Sequence, residues 1–383
     1  MEIGWTIRRD TGKEVTINYK IMTYGIITHY DVHNHGAILQ LMGLIRILKD
    51  EFGIKAQALQ FDKNYDFLGR EMKAKYEISL KSVGVYAKYF MENGLSQFLY
   101  NYEKKRLLDR FKKEHQMIGP YYTECGELDG VVMGSDEIFA LHTGPTPVLF
   151  GHACPSKKVF VYGGCFGPTT IEEVERLHCR GFVASGLNAM KGLGMRDRNS
   201  RETATILTGR ETVAVCDPVI LYGYEEETKN MKLPNLPPYL LVYAYDKKMN
   251  EPKEITRIKA YAKANGLKIV SPGFFHSWVD YNINVDPVEL LRYFKHAQCV
   301  VTDTFHGSVM SIITGRELAV KLRDNANKLL NLLEEYGLED RVLSSEWNLE
   351  EIFSKRVDYK DVNAEVIRRR NDSLSYLRSM VED

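Results

Sequence analysis

The sequence predicts an α/β protein with two Rossmann-like domains and a cleft between them. First, short apolar runs alternate with amphipathic helical stretches along most of the chain, which is the pattern of a doubly wound fold. Second, the 383 residues exceed what one hydrophobic core usually supports. Third, a charged stretch with three prolines interrupts the alternation at residues 224–239, and the pattern restarts after it. One oversized α/β domain is the alternative.

The first unit opens with a strand, a polar loop and an amphipathic helix. Residues 21–28 are apolar and β-branched, HYDVHNHG follows, and apolar side chains then recur at helical spacing until Gly53 closes the helix. Further strand-like runs lie at residues 130–133, 159–162 and 213–215. Together they predict a parallel sheet. The residues before Met22 predict a leading hairpin or an appendage.

The second unit begins at Tyr239 and repeats the same alternation. Its predicted strands lie at residues 239–245, 267–271, 299–302 and 317–321. The predicted organisation is an N-terminal Rossmann-like domain (1–223), a linker (224–238), a C-terminal Rossmann-like domain (239–345) and a helical region (346–383) that packs back. In such a pair of domains, ligands bind at the carboxyl ends of the strands.

Composition excludes several classes of protein. The 51 Lys and Arg residues balance the 51 Asp and Glu residues, so the chain has no global positive field of the kind that binds nucleic acid. Its six cysteines include no C-x-x-C pair, which argues against a zinc ribbon or a small disulfide scaffold. No apolar run approaches the roughly 20 residues of a membrane span, and the N-terminus lacks a signal-peptide pattern. We therefore expect a cytoplasmic protein.

The segment VVTDTFHGS, residues 300–308, is the strongest candidate for an active centre. An apolar strand runs directly into polar residues, and a helix begins within two or three positions. The free N–H groups and positive dipole end of such a helix suit a phosphate or a carboxylate, and Gly307 lets the backbone approach closely. His306 titrates near neutral pH and is therefore suited to proton transfer. The alternative is that His306 and Ser308 only cap the helix.

An arginine cluster forms the second candidate. Arg196, Arg198 and Arg201 lie together just ahead of a predicted helix, and guanidinium groups match phosphate and carboxylate oxygens bidentately. The alternative is a solvated basic turn paired with Asp197 and Glu202.

A G-S-D block forms the third candidate. Gly134, Ser135 and Asp136 follow a predicted strand, which is the position of a ligand loop. The same three residues are also an ordinary helix start, so this block alone does not separate the two interpretations.

Two further features have mainly structural interpretations. His29, His33 and His35 form a cluster, but no second metal motif accompanies them, so we predict no metal site and expect the imidazoles to face a cleft or solvent. The basic stretch at residues 104–113 lies on a predicted helix. It is typical of a solvated face, and peripheral contact with an anionic membrane is the alternative.

Taken in order, these segments resemble the motifs of the polysaccharide pyruvyl transferase family. The family's N-x-G-A-x-L-Q, G-S-D, S-x-R-D/E, D-P-x-x-L and T-D-S/T-x-H-G blocks all have counterparts within about residues 22–341. The matching residues are Asn34, Gly36, Ala37, Leu39, Gln40, Gly134, Ser135, Asp136, Arg196, Asp197, Asp217, Pro218, Leu221, Thr302, Asp303, His306 and Gly307. The departures are Gly163, Gly164 and Cys165 in a strand-end block, Gly194 and Met195 before Arg196, and the additional His33 and His35.

The resemblance implies a GT-B-like fold and transfer of pyruvate from phosphoenolpyruvate to a sugar, usually as a ketal on two hydroxyls. It implies an N-terminal domain on the acceptor side, a C-terminal domain on the donor side, no metal and no cofactor beyond this co-substrate. The expected catalytic residues are His306, with Asp303 orienting or tuning it. The expected donor-binding residues are Arg196, Arg198, Thr304, Gly307 and Ser308. The expected acceptor-binding residues are Asn34, Gly36, Gly134, Ser135 and Asp136.

The expected partners are phosphoenolpyruvate and a sugar or lipid-linked oligosaccharide acceptor, and a lipid-linked acceptor would bring the protein to the inner face of the membrane. Two rival functions share the fold, since a fold does not determine function. One is a glycosyltransferase that uses a nucleotide sugar. The other is a non-catalytic homologue that binds a phosphate ligand.

Overall fold

The computed structural model describes residues 2–8, 14–63, 80–143, 145–323 and 327–382. It begins with two antiparallel strands, β1 (Glu2–Arg8) and β2 (Glu14–Lys20), which pair with each other. The main body that follows contains two parallel sheets.

The N-terminal sheet has seven strands within the described residues. They are β3 (Thr23–Ile27), β4 (Lys55–Gln60), β5 (Ile118–Tyr121), β6 (Gly130–Met133), β7 (Val159–Gly164), β8 (Leu193–Met195) and β9 (Val213–Ala214). The associated helices are α1 (His35–Phe52), α2 (Leu80–Glu114), α3 (Ile171–Arg176), α4 (Arg180–Ala189), α5 (Arg198–Thr208), α6 (Pro218–Tyr222) and α7 (Glu225–Lys229). Every residue of β6 and β7 is buried, because a parallel sheet is covered by other elements on both faces.

The C-terminal sheet has five strands within the described residues. They are β10 (Tyr239–Tyr243), β11 (Lys268–Pro272), β12 (Tyr281–Ile283), β13 (Cys299–Thr302) and β14 (Leu318–Val320). The accompanying helices are α8 (Pro252–Ala264), α9 (Pro287–His296), α10 (Phe305–Thr314), α11 (Asn327–Glu335), α12 (Leu349–Ser354) and α13 (Tyr359–Glu382).

Both sheets have the same strand topology. Their spatial orders are β5-β4-β3-β6-β7-β8-β9 and β12-β11-β10-β13-β14, so the first strand of each unit lies between the second and the fourth. This is the Rossmann order, in which the connections reverse direction beside the first strand and leave a crevice at the carboxyl ends. The predicted fold class, two Rossmann-like domains in a GT-B-like arrangement, is confirmed.

The segment between the two sheets is more ordered than its composition indicated. It contains α7, whose first turn carries three glutamates that favour the positive end of the helix dipole. Tyr224, at its start, is fully buried and donates a hydrogen bond to the Leu39 carbonyl (2.5 Å). From the second domain, Lys295 donates to the Thr228 carbonyl (2.5 Å). These contacts hold residues 224–228 against both domains, and the bounds of the linker stay a prediction.

Helix α13 follows the C-terminal domain and contacts the N-terminal sheet. Tyr376 donates to the carbonyl of Val161 in β7 (2.7 Å), and Ser373 accepts a hydrogen bond from the Cys216 N–H (2.9 Å). Near its start, Tyr359 donates to the Arg316 carbonyl of the C-terminal domain. One helix therefore contacts both domains.

The basic stretch on α2 is not a uniformly solvated face. Lys104 is buried, with its ammonium 4.0 Å from the centre of the Phe274 ring. Lys112 is also buried and donates to the Tyr30 carbonyl (3.4 Å). Across the ranges that the structure describes, no helix is both long enough and apolar enough to cross a membrane.

Candidate active site

The ends of strands from both sheets meet across the cleft. Gly36, in the first turn of α1, lies against His306 at the start of α10, so close that a Cβ on Gly36 would be 2.1 Å from the imidazole Cγ. Arg196, directly after β8, places its guanidinium 4.3 Å from the centre of the Phe305 ring. Asn34, from the loop after β3, donates to the hydroxyl of Tyr245, which follows β10 (3.3 Å). The cleft is therefore lined from both domains.

The N-terminus of α10 is capped by Thr304. Its Oγ1 accepts the Gly307 N–H (2.9 Å), and its carbonyl accepts the Ser308 N–H (3.3 Å). The Gly307 and Ser308 amides that we expected to bind a donor are thus already used within the helix. An α-helix leaves its first four N–H groups without an internal partner. Here the Thr304 N–H donates to Thr302 Oγ1 (3.1 Å) and the Gly307 N–H to Thr304, so the N–H groups of Phe305 and His306 are the two that remain. The structure also shows that His306 and Ser308 are not the cap.

His306 is buried, and its Nε2 has no hydrogen-bond partner. Burial lowers the pKa of this imidazole below its ordinary value, while the nearby carboxylates of Asp217 and Asp136 raise it in part. The side chain is therefore neutral at neutral pH and keeps a ring nitrogen available to a substrate. Gly36 serves this arrangement by leaving room for the imidazole. Its expected role in acceptor binding stays a prediction.

Arg196 lies between two carboxylates. It donates to Asp217 (2.9 Å) and to Asp136 (3.3 Å), and its side chain is only 2% exposed. Burial would raise the pKa of Asp136, but the charges of Arg196 and Lys328 outweigh that effect and hold it below its ordinary range. Gln40 also donates to Asp217 (2.5 Å). Contrary to what its sequence position indicated, the guanidinium group of Arg196 is thus not free to bind a ligand, since both of its terminal nitrogens already bind carboxylates.

Lys328 is a cleft residue that the sequence did not reveal. It lies in the first turn of α11, pairs with Glu137, and has its ammonium 5.8 Å from the Phe305 ring centre. Burial would lower its pKa, but Glu137 and Asp136 raise it above the ordinary value, so the side chain stays charged. In sequence it is an ordinary lysine at the start of an amphipathic helix. Its only signal is that the helix follows a strand end.

Asp303 does not contact His306 as we expected. Its Oδ2 accepts from Arg323 (2.9 Å), which also donates to Glu254 (2.7 Å). The other carboxylate oxygen, Oδ1, and His306 Nε2 both lack hydrogen-bond partners, so the two side chains are not bonded to each other there. No hydrogen bond supports the expected orienting or tuning of His306 by Asp303, and that role stays a prediction. The carboxylates that act on this imidazole are those of Asp217 and Asp136.

Arg198 lies outside the cluster formed by Arg196, Lys328 and His306. Its side chain is 59% exposed and donates to Glu334 on α11 (3.1 Å). An exposed arginine in a surface ion pair contributes little to a buried anion site. Its predicted donor contact would require it to leave this pair.

The predicted acceptor residues divide into two groups. Asn34 and Asp136 reach the cleft; Asn34 also caps α1 by accepting the Gly36 N–H (2.9 Å). Gly134 and Ser135 instead shape the loop. A Cβ on Gly134 would be 2.2 Å from the Tyr162 carbonyl oxygen, and the buried Ser135 accepts from Thr28 through its backbone carbonyl (2.8 Å).

The three clustered histidines do not converge. His29 bonds the Glu137 carbonyl (3.1 Å), His33 pairs with Asp109 (2.8 Å), and His35 donates to the Val285 carbonyl (2.8 Å). Among the residues that the structure describes, no group of three or more His, Cys, Asp or Glu side chains is placed to hold a metal ion.

His35 makes stability depend on pH. It is fully buried against Gly273 of the second domain, and burial lowers its pKa to about 3. Between pH 6.5 and pH 4 the unfolded chain binds a proton at this position that the folded chain does not. This proton uptake favours unfolding as the pH falls, and it lowers the free energy of unfolding by about 3 kcal/mol at pH 4. In His35→Leu, the difference between the urea-unfolding free energies at pH 7 and pH 4 should shrink by about that amount.

The control for this prediction is His115→Leu, at an exposed histidine directly after α2. It should leave the pH dependence of unfolding nearly unchanged. An unaltered slope in His35→Leu would contradict the role assigned to His35. His35→Leu should also be less stable at pH 7, because it leaves the Val285 carbonyl without its donor.

The fold and this cluster together define a two-domain α/β protein with a neutral imidazole, carboxylates and cations at facing strand ends. A family model described as polysaccharide pyruvyl transferase matches residues 34–320, and the chain therefore belongs to that family. No curated protein sequence matches significantly.

Similar solved structures extend over nearly the whole chain at low identity. UDP-GlcNAc 2-epimerase from Methanocaldococcus jannaschii, solved with UDP-GlcNAc and UDP, is 13% identical and has a TM-score of 0.49 over 95% of this chain and 100% of its own. The Neisseria meningitidis enzyme of the same name is 10% identical, with a TM-score of 0.49 and the same coverages. Arabidopsis thaliana UGT89C1 with UDP-L-rhamnose is 10% identical, with a TM-score of 0.48 over 95% and 99% of the two chains.

Proposed function

We propose that the protein transfers pyruvate from phosphoenolpyruvate to two hydroxyls of a sugar, forming a cyclic ketal in cell-surface polysaccharide biosynthesis. The observation that carries the proposal is His306, a buried neutral imidazole with an unpartnered Nε2 at the N-terminus of α10. Family membership supports it. The acceptor is a sugar or lipid-linked oligosaccharide, and the reaction takes place in the cytoplasm, at the inner membrane face if the acceptor is lipid-linked.

The donor phosphate would bind at the start of α10 beside Lys328. The Phe305 and His306 N–H groups and the positive helix dipole favour an anion there. Lys328 supplies a nearby charge and exchanges its pairing with Glu137 for the phosphate. Arg196 stays paired with Asp217 and Asp136, and its positive charge attracts the phosphate without a direct contact. Arg198, Thr304, Gly307 and Ser308 keep structural roles in this scheme, because each already has a partner.

The reaction requires one proton transfer to carbon and one phosphate departure. Neutral His306 takes the proton of the first sugar hydroxyl and delivers it to the methylene carbon of phosphoenolpyruvate, while the hydroxyl oxygen bonds to carbon 2. The C–O bond to phosphate then breaks, and phosphate leaves with its bonding electrons. The second hydroxyl adds to the same carbon, and its proton goes to phosphate or water. The products are one ketal and one phosphate, and no metal or redox cofactor is consumed.

The proposal predicts a defined isotope pattern. Phosphoenolpyruvate labelled with oxygen-18 at the bridging position, incubated in deuterium oxide with an acceptor, should yield labelled phosphate and a ketal with one solvent deuterium in its methyl group. Mass spectrometry of both products measures this. Unlabelled phosphate would mean that the P–O bond breaks instead, and the proposed chemistry would be wrong.

A thermal-shift comparison separates the proposal from its rivals. Phosphoenolpyruvate should raise Tm more than inorganic phosphate at the same concentration, because binding to the folded state stabilises it. Stabilisation by UDP-GlcNAc with none by phosphoenolpyruvate would favour a nucleotide-sugar glycosyltransferase. Binding of phosphoenolpyruvate without turnover on any acceptor would favour the non-catalytic homologue.

A further inference from the structure

Tyr245 is an exposed aromatic residue inside the cleft. It follows β10, the strand beside which the C-terminal sheet reverses its connections, and its side chain is 48% exposed. Its hydroxyl accepts a hydrogen bond from Asn34 of the opposite domain (3.3 Å). Asp136, Glu137 and Lys328 act electrostatically on this hydroxyl. The ring therefore lies beside the cluster that holds His306.

The surrounding residues hold the Tyr245 ring in place. It contacts Phe274 at 5.2 Å between ring centres with an angle of 71° between the planes, and Lys104 covers Phe274. The next residue, Asp246, accepts from Asn101 of α2 (2.8 Å) and from the Phe275 N–H (3.0 Å). Phe274 packs on the ring and Asp246 is hydrogen-bonded, so the segment around Tyr245 is held in place. The exposed surface of Tyr245 is therefore a surface of the cleft.

An exposed ring among charged groups suits a particular kind of ligand. A pyranose has an apolar C–H face and a rim of hydroxyls, so it can cover an aromatic ring while its hydroxyls bind polar groups nearby. The hydroxyls of a ring on Tyr245 would point toward Asn34 and Asp136. A nucleobase also stacks on tyrosine, but it lacks the pair of hydroxyls that His306 would activate.

We propose that Tyr245 is the platform on which the sugar ring of the acceptor stacks, with Asn34 and Asp136 binding its hydroxyls. This inference rests on the proposed function, and it specifies the acceptor subsite within that function. The platform sets which acceptor is accepted, while the donor binds about His306 and Lys328.

Binding of methyl glycosides tests the platform without requiring turnover. The probes are the methyl glycosides of glucose, galactose and mannose, with uridine as the nucleobase arm, and the readout is saturation-transfer NMR with titrated Kd values. We expect ring protons of at least one glycoside to receive saturation. Tyr245→Leu should raise its Kd about tenfold or more, because the stacking surface is lost. Tyr245→Phe should stay within about threefold of the wild type, because it keeps the ring.

The matched control is Tyr281→Leu, at another exposed tyrosine, on the edge strand β12. It should bind the glycosides as the wild type does, and the Tm increase with phosphoenolpyruvate should persist in Tyr245→Leu. Three outcomes would each overturn the platform. They are a wild type that transfers no saturation to any glycoside, a glycoside Kd that is unchanged in Tyr245→Leu, and a loss of binding in Tyr245→Leu that affects uridine alone. If glycosides bind through Tyr245 but no phosphate is ever released, the platform stands and the proposed function fails.

Discussion

Replacing His306 with glutamine is expected to reduce phosphoenolpyruvate-dependent phosphate release by about 10²- to 10⁴-fold, the usual contribution of a positioned acid–base group. The reason is that the neutral imidazole carries the proton from the sugar hydroxyl to the methylene carbon. Glutamine retains a polar side chain against Gly36 and avoids the empty space that alanine would leave. The measurement is the rate of phosphate release at saturating phosphoenolpyruvate.

The pH profile of the same reaction gives an independent check. Burial lowers the pKa of His306 below 6.5, so the imidazole stays neutral until the pH falls below this lowered pKa. Wild-type kcat/KM should therefore decline only on the acid side, as protonation removes the base. His306→Gln should lack this acid limb while its circular dichroism matches the wild type. Near-normal turnover in the variant would remove His306 from the mechanism.

Replacing Arg196 with methionine is expected to lower the free energy of unfolding by about 3–5 kcal/mol, because the buried Asp217 and the partly buried Asp136 lose the guanidinium that pairs with both of them. Asp217 loses a donor at 2.9 Å and Asp136 loses one at 3.3 Å. The loss should be largest at neutral pH. It should shrink in acid, because protonation neutralises the carboxylate of Asp136 once Arg196 no longer holds its pKa down. Urea unfolding at pH 7 and pH 5 measures both effects.

Arg198→Met is the matched control for this variant. Arg198 is two positions away, but it is exposed and bonded only at the surface to Glu334 and through its backbone to Asn331. Its replacement should cost less than about 1 kcal/mol. Equal losses in the two variants would show that the carboxylate pairing of Arg196 contributes nothing specific to stability.

Much of the fold could be predicted from sequence because it depends on local patterns. The apolar runs of β3, β6 and β10 alternate with helices of clear apolar period, and strands that are buried on both faces are recognisable in sequence as such continuous apolar runs. The order in the linker could not be predicted in this way. The hydroxyl of the buried Tyr224 donates to the carbonyl of Leu39, which is 185 residues earlier in the chain.

The site was predictable only where its residues follow strands directly. His306, Arg196 and Asp136 each stand just past a strand end, and the structure brings all three together. Partners from distant parts of the chain were not predictable. Asp303 follows the same strand as His306, but it pairs with Arg323, and Lys328 reaches the cleft from a helix that carries no motif. Sequence position shows that a residue is at the cleft, and only the fold shows its partners.

The path of α13 limits how the two domains can move. Because this helix starts on the second domain at Tyr359 and ends against the first, where Val381 accepts a bond from Lys158 (2.9 Å), the chain crosses between the domains twice. With a single crossing, one domain could rotate about the one segment that connects it to the other. With two crossings, any movement of one domain relative to the other must be accommodated by both connections. Because Gly36 belongs to the first domain and His306 to the second, such a movement would also change the contact between them.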